Sequence, residues 1–271
     1  MKILITGSSG FIGNYLTKYF SNRCTVISPS STELNLLDED SVSEFFKDAY
    51  FDVVIHAAVV GRNTVNEKDN VVYNQIIRMF DNLIRYNLQF NKLINFGSGA
   101  EFGLGNSIDN ANEDDILDSI PDESYGAAKN VIARTILKMP HLYNLRIFSC
   151  FDTSENAHRL IKKFHLTVEQ GNVFEIDQDR YVDFVSLHDI AVVVESICNN
   201  QIKDRDLNMV YQDKITISNL LYKYCEINAV DTSLIKVNGI TNKNYTGDGS
   251  RLAKYNLELE GVIPTLRKYK E

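Results

Sequence analysis

The sequence predicts an α/β protein, a doubly wound parallel sheet with a small carboxyl-terminal lobe. Three observations carry this reading. Lys2 to Thr6 is a short apolar, β-branched run that ends in glycines at 7, 10 and 13. Strand-like apolar runs then alternate with helix-like amphipathic ones as far as Phe151. Beyond Phe151 the rhythm becomes irregular, which marks a second lobe.

The first strand, Lys2 to Thr6, is followed by Phe11, Ile12, Tyr15, Leu16, Tyr19 and Phe20 at helical spacing. Strand, glycine turn and helix in that order suit a dinucleotide pyrophosphate. The glycines let the backbone turn tightly, and the helix presents free N–H groups and its positive dipole end. Cys24 to Ser28 reads as the second strand. An acid at its end would bond the adenine ribose of NAD and repel a 2′-phosphate. Ser28 stands there, followed by Pro29, Ser30, Ser31 and Thr32, so the cofactor is NADP or NAD with NADP favoured.

A helix starting at Ser41, with Glu44 three residues on, carries a capping-box signature. Phe51 to Ala58 is an apolar run ending in small residues, which leave room for a cofactor across a central strand. His56 within it reads as a packing and hydrogen-bonding residue rather than a catalytic one. A helix over about 71–86 carries Asn74 and Asn82, and Lys92 to Phe96 is a strand that runs into the loop from Gly97 to Gly103. The acid-rich stretch 106–123 is expected to be a solvated flap. A helix opens at Ser124, and Asn144 to Phe148 is a further strand. In the last third, 159–170, 187–199 and 218–226 read as helices, and 173–176, 207–211 and 234–237 as strands. The expected division is a dinucleotide-binding domain over 1–151, with 179–211 returning to it. The small substrate-binding lobe then takes 152–178 and 212–271.

Bulk properties narrow the function. The chain has 271 residues, 44% hydrophobic and 24% charged, with a net charge of −8. A nucleic-acid surface needs clustered Lys and Arg, and none is present, so nucleic acid is not an expected partner. No apolar run approaches the roughly 20 residues of a membrane span. Cys24, Cys150, Cys198 and Cys225 form no Cys-x-x-Cys pair and read as reduced thiols of a cytoplasmic protein. The 5 histidines show no ligand spacing with them, so no metal is expected.

Tyr125 and Lys129 lie four apart and so share one helix face. A tyrosine hydroxyl is a poor acid–base group near neutrality, but a neighbouring ammonium favours the phenolate. Roughly one Tyr-x-x-x-Lys is expected by chance in a chain of this composition, so the pair gains weight from position. It is the only such pair, it opens a helix, and it follows the Ser98 loop by 27 residues. Ser98 would hold a substrate oxygen while a nicotinamide carries hydride.

At this point the sequence resembles the extended short-chain dehydrogenase/reductases, the NAD-dependent epimerase/dehydratase family of nucleotide-sugar enzymes. The pieces are Thr6-Gly-Ser-Ser-Gly-Phe-Ile-Gly13, Asp52-Val-Val-Ile-His-Ala-Ala58, Asn74, the Ser98 loop ending in Phe102-Gly103, Tyr125-x-x-x-Lys129, and Asp248-Gly-Ser-Arg-Leu252 with Leu257 to Gly261 and Pro264. Glu33-Leu-Asn-Leu-Leu-Asp38 looks most like GDP-fucose synthases. The resemblance implies a Rossmann sheet. It makes Tyr125 the general acid/base, Lys129 its electrostatic partner and a ribose ligand, and Ser98 the group bonding the sugar oxygen. Gly7, Ser9, Gly10, Phe11, Ile12, Gly13, Ser28, Leu36, His56, Ala57, Ala58 and Asn74 complete the implied cofactor set.

Subclass follows from absences within the resemblance. Dehydratases carry Asp-Glu directly after the catalytic hydroxyl, and here Gly99 and Ala100 stand there. Fucose-synthase-like epimerase–reductases carry Cys where Ala100 stands, and Glu101 is displaced by one position, so it is expected to point elsewhere. Reduction of a 4-keto sugar on a nucleotide-linked 6-deoxy sugar remains as the leading expectation. A 4-epimerase with tightly held NAD and a non-catalytic dinucleotide-binding regulator are the alternatives. Ser149 stands where the family has Asn, and Arg180 and Arg251 are candidates for the nucleotide diphosphate, because a guanidinium bonds two phosphate oxygens at once. Each arginine reads equally well as one half of a surface salt bridge. Homodimerisation through the helices near 74–86 and 125–137 is implied by the resemblance alone.

Overall fold

The computed structural model describes residues 1–60 and 69–270. The chain begins β1 (Lys2–Thr6), α1 (Phe11–Ser21), β2 (Thr25–Ile27), α2 (Glu39–Phe46), β3 (Phe51–His56), α3 (Asp69–Ile84) and β4 (Phe90–Ser98). A 3-10 turn, Gly99–Phe102, leads to β5 (Ile108–Ala111), α4 (Ser124–Leu137), β6 (Leu142–Ile147) and β7 (Ser149–Phe151). Then come α5 (Leu160–Glu169), β8 (Phe174–Ile176), β9 (Phe184–Ser186), α6 (Leu187–Cys198) and β10 (Asp206–Met209). The chain closes with α7 (Ile217–Asn228), β11 (Ile235–Val237), β12 (Tyr245–Gly247), α8 (Ser250–Ala253) and α9 (Val262–Arg267).

Two compact units result. The first comprises Met1–Gly105, Glu113–Arg146 and Val194–Leu207; the second comprises Asn106–Asn112, Ile147–Val193 and Asn208–Glu271. The segment 179–211 is therefore divided, with 194–207 in the first unit and its flanks in the second.

Six strands form the parallel sheet in the order β10-β6-β4-β3-β1-β2. The chain starts at β1, steps to the edge strand β2 on one side, then crosses to β3 on the other. That reversal opens a crevice at the carboxyl ends of β1 and β3, where Thr6 is paired with His56. Strand β3 is a central strand covered on both faces, which explains its unbroken apolar run; Val53, Val54 and Ile55 are all buried. Helix α1 turns Gly13, Leu16 and Phe20 inward at helical spacing. One face of the sheet buries Leu4, Val54 and Leu93 with Phe80 of α3 and Ile132 and Ile136 of α4.

Two local expectations are corrected. Helix α2 begins at Glu39, not Ser41, and its cap is Asp38, whose side chain accepts from Asp40 N at 3.2 Å. An acid at the cap and two more in the first turn suit the positive helix end better than a hydroxyl placed inside it. The Ser41 hydroxyl accepts instead from Asn35 N at 2.9 Å. The stretch 106–123 is not a wholly solvated flap either: β5 pairs with β12, and Glu113 and Ile116 are buried.

The second unit is built on short parallel pairs, β7 with β9, β8 with β11 and β5 with β12. Its core gathers Phe164, Phe174, Leu220, Tyr224 and Tyr269. Cys150, Cys198 and Cys225 are buried free thiols, and Cys24 is half-buried and free. Burial raises the Cys150 thiol to about 11 and that of Cys198 to about 12, so both stay protonated and unreactive near neutrality. No helix among the described residues is long and apolar enough to cross a membrane.

Candidate active site

The glycine turn closes on the end of β3. Gly7 has φ +72°, and a Cβ there would stand 2.5 Å from Ala58 N. A Cβ on Gly13 would stand 2.2 Å from Gly7 O, so the third glycine lets α1 lie directly on the turn. Gly10 N donates to Gly7 O at 2.9 Å, and no side chain caps α1 at Gly10. The amino end of α1 thus turns its positive dipole end to the turn with no side-chain cap over it, as an anion site requires.

Against this turn lies a cavity of about 310 Å³ lined by Thr6 to Gly10, Pro29 to Ser31, Leu34 to Leu37, Ala57 to Val60 and Met79. Expected residues Gly7, Ser9, Gly10, Leu36, Ala57 and Ala58 line it. Phe11, Ile12 and Gly13 form the adjoining helical turn. Ser28 supplies the carbonyl that accepts from the Ser8 hydroxyl at 3.3 Å. Asn74 is exposed and, with Val71, Gln75 and Arg78, lines a second depression that shares Leu37 with this cavity. Pro29 to Ser31, read from the sequence as the surroundings of the adenine ribose, line the first cavity too, whereas Asn35 and Met79 were not anticipated, because only the fold brings them to the glycines. The donor set fits a dinucleotide: backbone N–H groups for a pyrophosphate, apolar walls for a base, and a turn that any side chain at Gly7 would block.

His56 is buried, and its Nδ1 shares a 2.9 Å hydrogen bond with Thr6 Oγ1. Burial, helped by the nearby Lys129 charge, pushes the imidazole down to about 3, so it is neutral at pH 7.

Ser98 ends β4 and caps the following 3-10 turn. Its Oγ accepts from Ala100 N at 3.2 Å, and its own N–H donates to Glu101 Oε1 at 2.8 Å. Tyr125 and Lys129 occupy the first turns of α4. Lys129 is buried and donates from Nζ to Phe96 O at 2.8 Å, tying α4 to β4. Asn130 Nδ2 donates to Glu101 O at 2.9 Å, and a Cβ on Gly126 would stand 2.4 Å from Ala100 O. These ties hold the Ser98 turn and the Tyr125 helix together within the first unit. Tyr125 is half-buried and packs against the α3–α4 side of the core.

Glu101 points away from solvent into a buried ion cluster. Arg146 Nε donates to its Oε2 at 2.6 Å, and Arg146 Nη2 donates to Asp206 at 3.0 Å. Burial raises the Glu101 carboxyl above the usual range, against the pull of Arg146. Burial also weighs against the Arg146 charge, but the two carboxylates outweigh it and keep the guanidinium protonated.

Ser149, Arg180 and Arg251 belong to the second unit. Arg180 is exposed and, with His158 and Lys163, lines a cavity of about 510 Å³ beside β8. Its Nη1 donates to Lys243 O at 3.2 Å. Ser149 is half-buried in β7, and Arg251 is half-buried in α8. Asp183 is a structural acid: its carboxylate accepts from Lys214 Nζ at 2.9 Å and from Gly247 N at 2.8 Å.

Fold and site together define a dinucleotide-binding α/β protein with a serine, a tyrosine and a lysine on the strand and helix beside the crevice. Residues 3–211 match the NAD dependent epimerase/dehydratase family, and the chain belongs to it. A GDP-L-colitose synthase of Yersinia pseudotuberculosis is 34% identical over 113 residues; the match spans 38% of this chain and 35% of that protein's length. The fold is similar to a GDP-mannoheptose C4 reductase of Campylobacter jejuni solved with NADP, at a TM-score of 0.80 and 18% identity, covering 99% of this chain and 97% of that one. A UDP-glucose 4-epimerase of Thermotoga maritima solved with UDP-glucose is similar at a TM-score of 0.79 and 18% identity, covering 99% and 98%.

Proposed function

We propose that the chain is an NAD(P)-dependent nucleotide-sugar oxidoreductase that reduces the 4-keto group of a nucleotide-linked 6-deoxy sugar. The observation that supports this reading is that the Lys129–Phe96 and Asn130–Glu101 hydrogen bonds tie the helix carrying Tyr125 and Lys129 to the strand end and turn carrying Ser98, in the unit that holds the glycine turn. A reduced nicotinamide, when bound, supplies the hydride. Ser98 Oγ holds the substrate carbonyl oxygen, and Tyr125 gives that oxygen a proton from its Oη. Lys129 stabilises the phenolate that remains. The catalytic turn holds no second acid, because Gly99 and Ala100 have no titratable side chain and Glu101 is committed to Arg146. Arg180, with Lys163 and His158, takes the nucleotide diphosphate. Ser149 and Arg251 serve as further substrate contacts. The name of the similar C4 reductase supports this chemistry.

A 4-epimerase with tightly held NAD is the second reading, favoured by the similar UDP-glucose 4-epimerase. We assign the protein to the cytoplasm on its unpaired thiols, and to a homodimer through α3 and α4, which sedimentation velocity measures directly.

The test is NADPH and NADH consumption with a panel of nucleotide-linked 4-keto sugars, for wild type and Tyr125→Phe. Wild type turns over on an accepted sugar, and the variant loses about a hundredfold or more. Equal rates would remove Tyr125 from the mechanism. A dinucleotide that survives gel filtration, with no consumption of added NAD(P)H, would favour the epimerase. Arg180→Ala is expected to raise KM for the nucleotide sugar about tenfold with kcat little changed.

A further inference from the structure

We propose that Glu101 is a positioning residue for Ser98, acting through the backbone of the turn that Ser98 opens. This rests on the reading of Ser98 as the holder of the substrate oxygen.

The carboxylate bridges two structures. Oε1 accepts from Ser98 N at 2.8 Å, within the capping box that also has Ala100 N donating to Ser98 Oγ at 3.2 Å. Oε2 accepts from Arg146 Nε at 2.6 Å and from Asn144 Nδ2 at 3.2 Å. Asn144 and Arg146 are two apart on β6 and so face the same side of the sheet. Both also donate to Asp206 of β10, from Asn144 Nδ2 at 3.2 Å and Arg146 Nη2 at 3.0 Å. Strands β6 and β10 thus reach the Ser98 backbone through one carboxylate.

The surroundings are cut to admit that carboxylate. A Cβ at Gly97 would lie 2.3 Å from Glu101 Oε1 and 2.6 Å from Asn144 Oδ1. Glu101 and Arg146 are each 0% exposed. Burying such an ion cluster is a poor way to gain stability, since well-packed apolar side chains do as well or better. What it provides is a fixed direction. A hydroxyl whose oxygen accepts from a backbone N–H is also polarised towards donating its own proton. The cluster thereby sets where the Ser98 hydroxyl sits and how it presents itself.

The experiment is a double-mutant cycle with Glu101→Leu, Glu101→Gln and Ser98→Ala on an accepted 4-keto sugar. Glu101→Leu removes the acceptor for Ser98 N, while Asp206 still pairs Arg146. Its kcat is expected to fall about ten- to a hundredfold, with KM and dinucleotide Kd within about twofold of wild type. Glu101→Gln keeps an acceptor oxygen and is expected to recover most of kcat. In the Ser98→Ala background, neither Glu101 variant lowers kcat further. If Glu101→Leu does not fold, the same variant with Arg146→Met and Asp206→Asn, which removes all the charges together, is measured in its place. Additive losses in the Ser98→Ala background, or wild-type kcat in a folded Glu101→Leu protein, overturn the positioning role alone. Wild-type kcat in Ser98→Ala overturns the reading of Ser98 on which it rests.

Discussion

Lys129 Nζ donates to the carbonyl oxygen of Phe96 at 2.8 Å, so the lysine of the Tyr-x-x-x-Lys pair is anchored to the carboxyl end of β4. It therefore has two tasks, a structural one on Phe96 and an electrostatic one beside Tyr125. Lys129→Met removes both. Stability is expected to fall by about 1–3 kcal/mol from the unpaired buried carbonyl, and kcat by about a hundredfold. Urea unfolding and steady-state rates measure the two separately; unchanged kcat in a folded variant would leave Lys129 with the structural task alone.

The glycine turn is tested with a built-in control. Gly7 and Gly171 both have φ +72°, but a Cβ at Gly7 meets Ala58 whereas one at Gly171 meets nothing within 4 Å. Gly171→Ala is expected to cost about 1–2 kcal/mol of stability and leave dinucleotide affinity unchanged. Gly7→Ala adds the clash and is expected to weaken dinucleotide binding by at least about tenfold. Calorimetric titration with NADPH and NADH decides, and equal affinities for the two variants would refute the cradle.

His56 makes stability depend on pH. The folded state holds its imidazole at about 3, while the unfolded chain protonates it near the ordinary value of about 6.5. Unfolding therefore takes up a proton below about pH 6.5. The contribution is complete above that value and is lost as pH falls towards 3, at up to about 1.4 kcal/mol per pH unit. Urea titrations of wild type and His56→Asn from about pH 7 to about pH 4.5 should diverge in slope by this amount. Parallel curves would mean that the imidazole is not held neutral.

Glu33 bears on cofactor choice. Its carboxylate accepts from the N–H and the hydroxyl of Ser30, each at 2.8 Å, and Ser30 lines the cavity beside the glycine turn. Those bonds hold the carboxyl below its usual range, so it is anionic at neutral pH. An anion bonded to this lining residue would oppose a 2′-phosphate bound beside it, an effect that a reading of Ser28 to Thr32 alone does not include. Glu33→Arg is expected to shift the NADPH-to-NADH ratio of kcat/KM towards NADPH by about tenfold. No shift would place Glu33 beyond reach of the ribose.

Much of the first unit was legible in the sequence because its signals are local. A buried central strand such as Phe51–His56 is a continuous apolar run, an amphipathic helix such as α1 repeats at its own period, and glycines at Gly7 and Gly13 mark a close approach wherever the chain goes. Tyr125 and Lys129 could be paired for the same reason, since one helix face joins them. The cap of α2 was misread because Asp38 and Ser41 are both competent caps, and the choice between them depends on what Asn35 N needs.

The sequence by itself determined the class of fold, the glycine turn and the residue types of the candidate chemistry, all of which are set by neighbours a few positions apart. Tertiary structure alone decided what Glu101 is bonded to, because Arg146 and the Asp206 that Arg146 also holds lie on other strands and no spacing announces them. It likewise decided that Asn35 and Met79 line the cavity with the glycines, and that β5 belongs with β12 rather than with a solvated flap. Pairings across the chain depend on how the sheet is ordered, and that order exists only once the strands have packed.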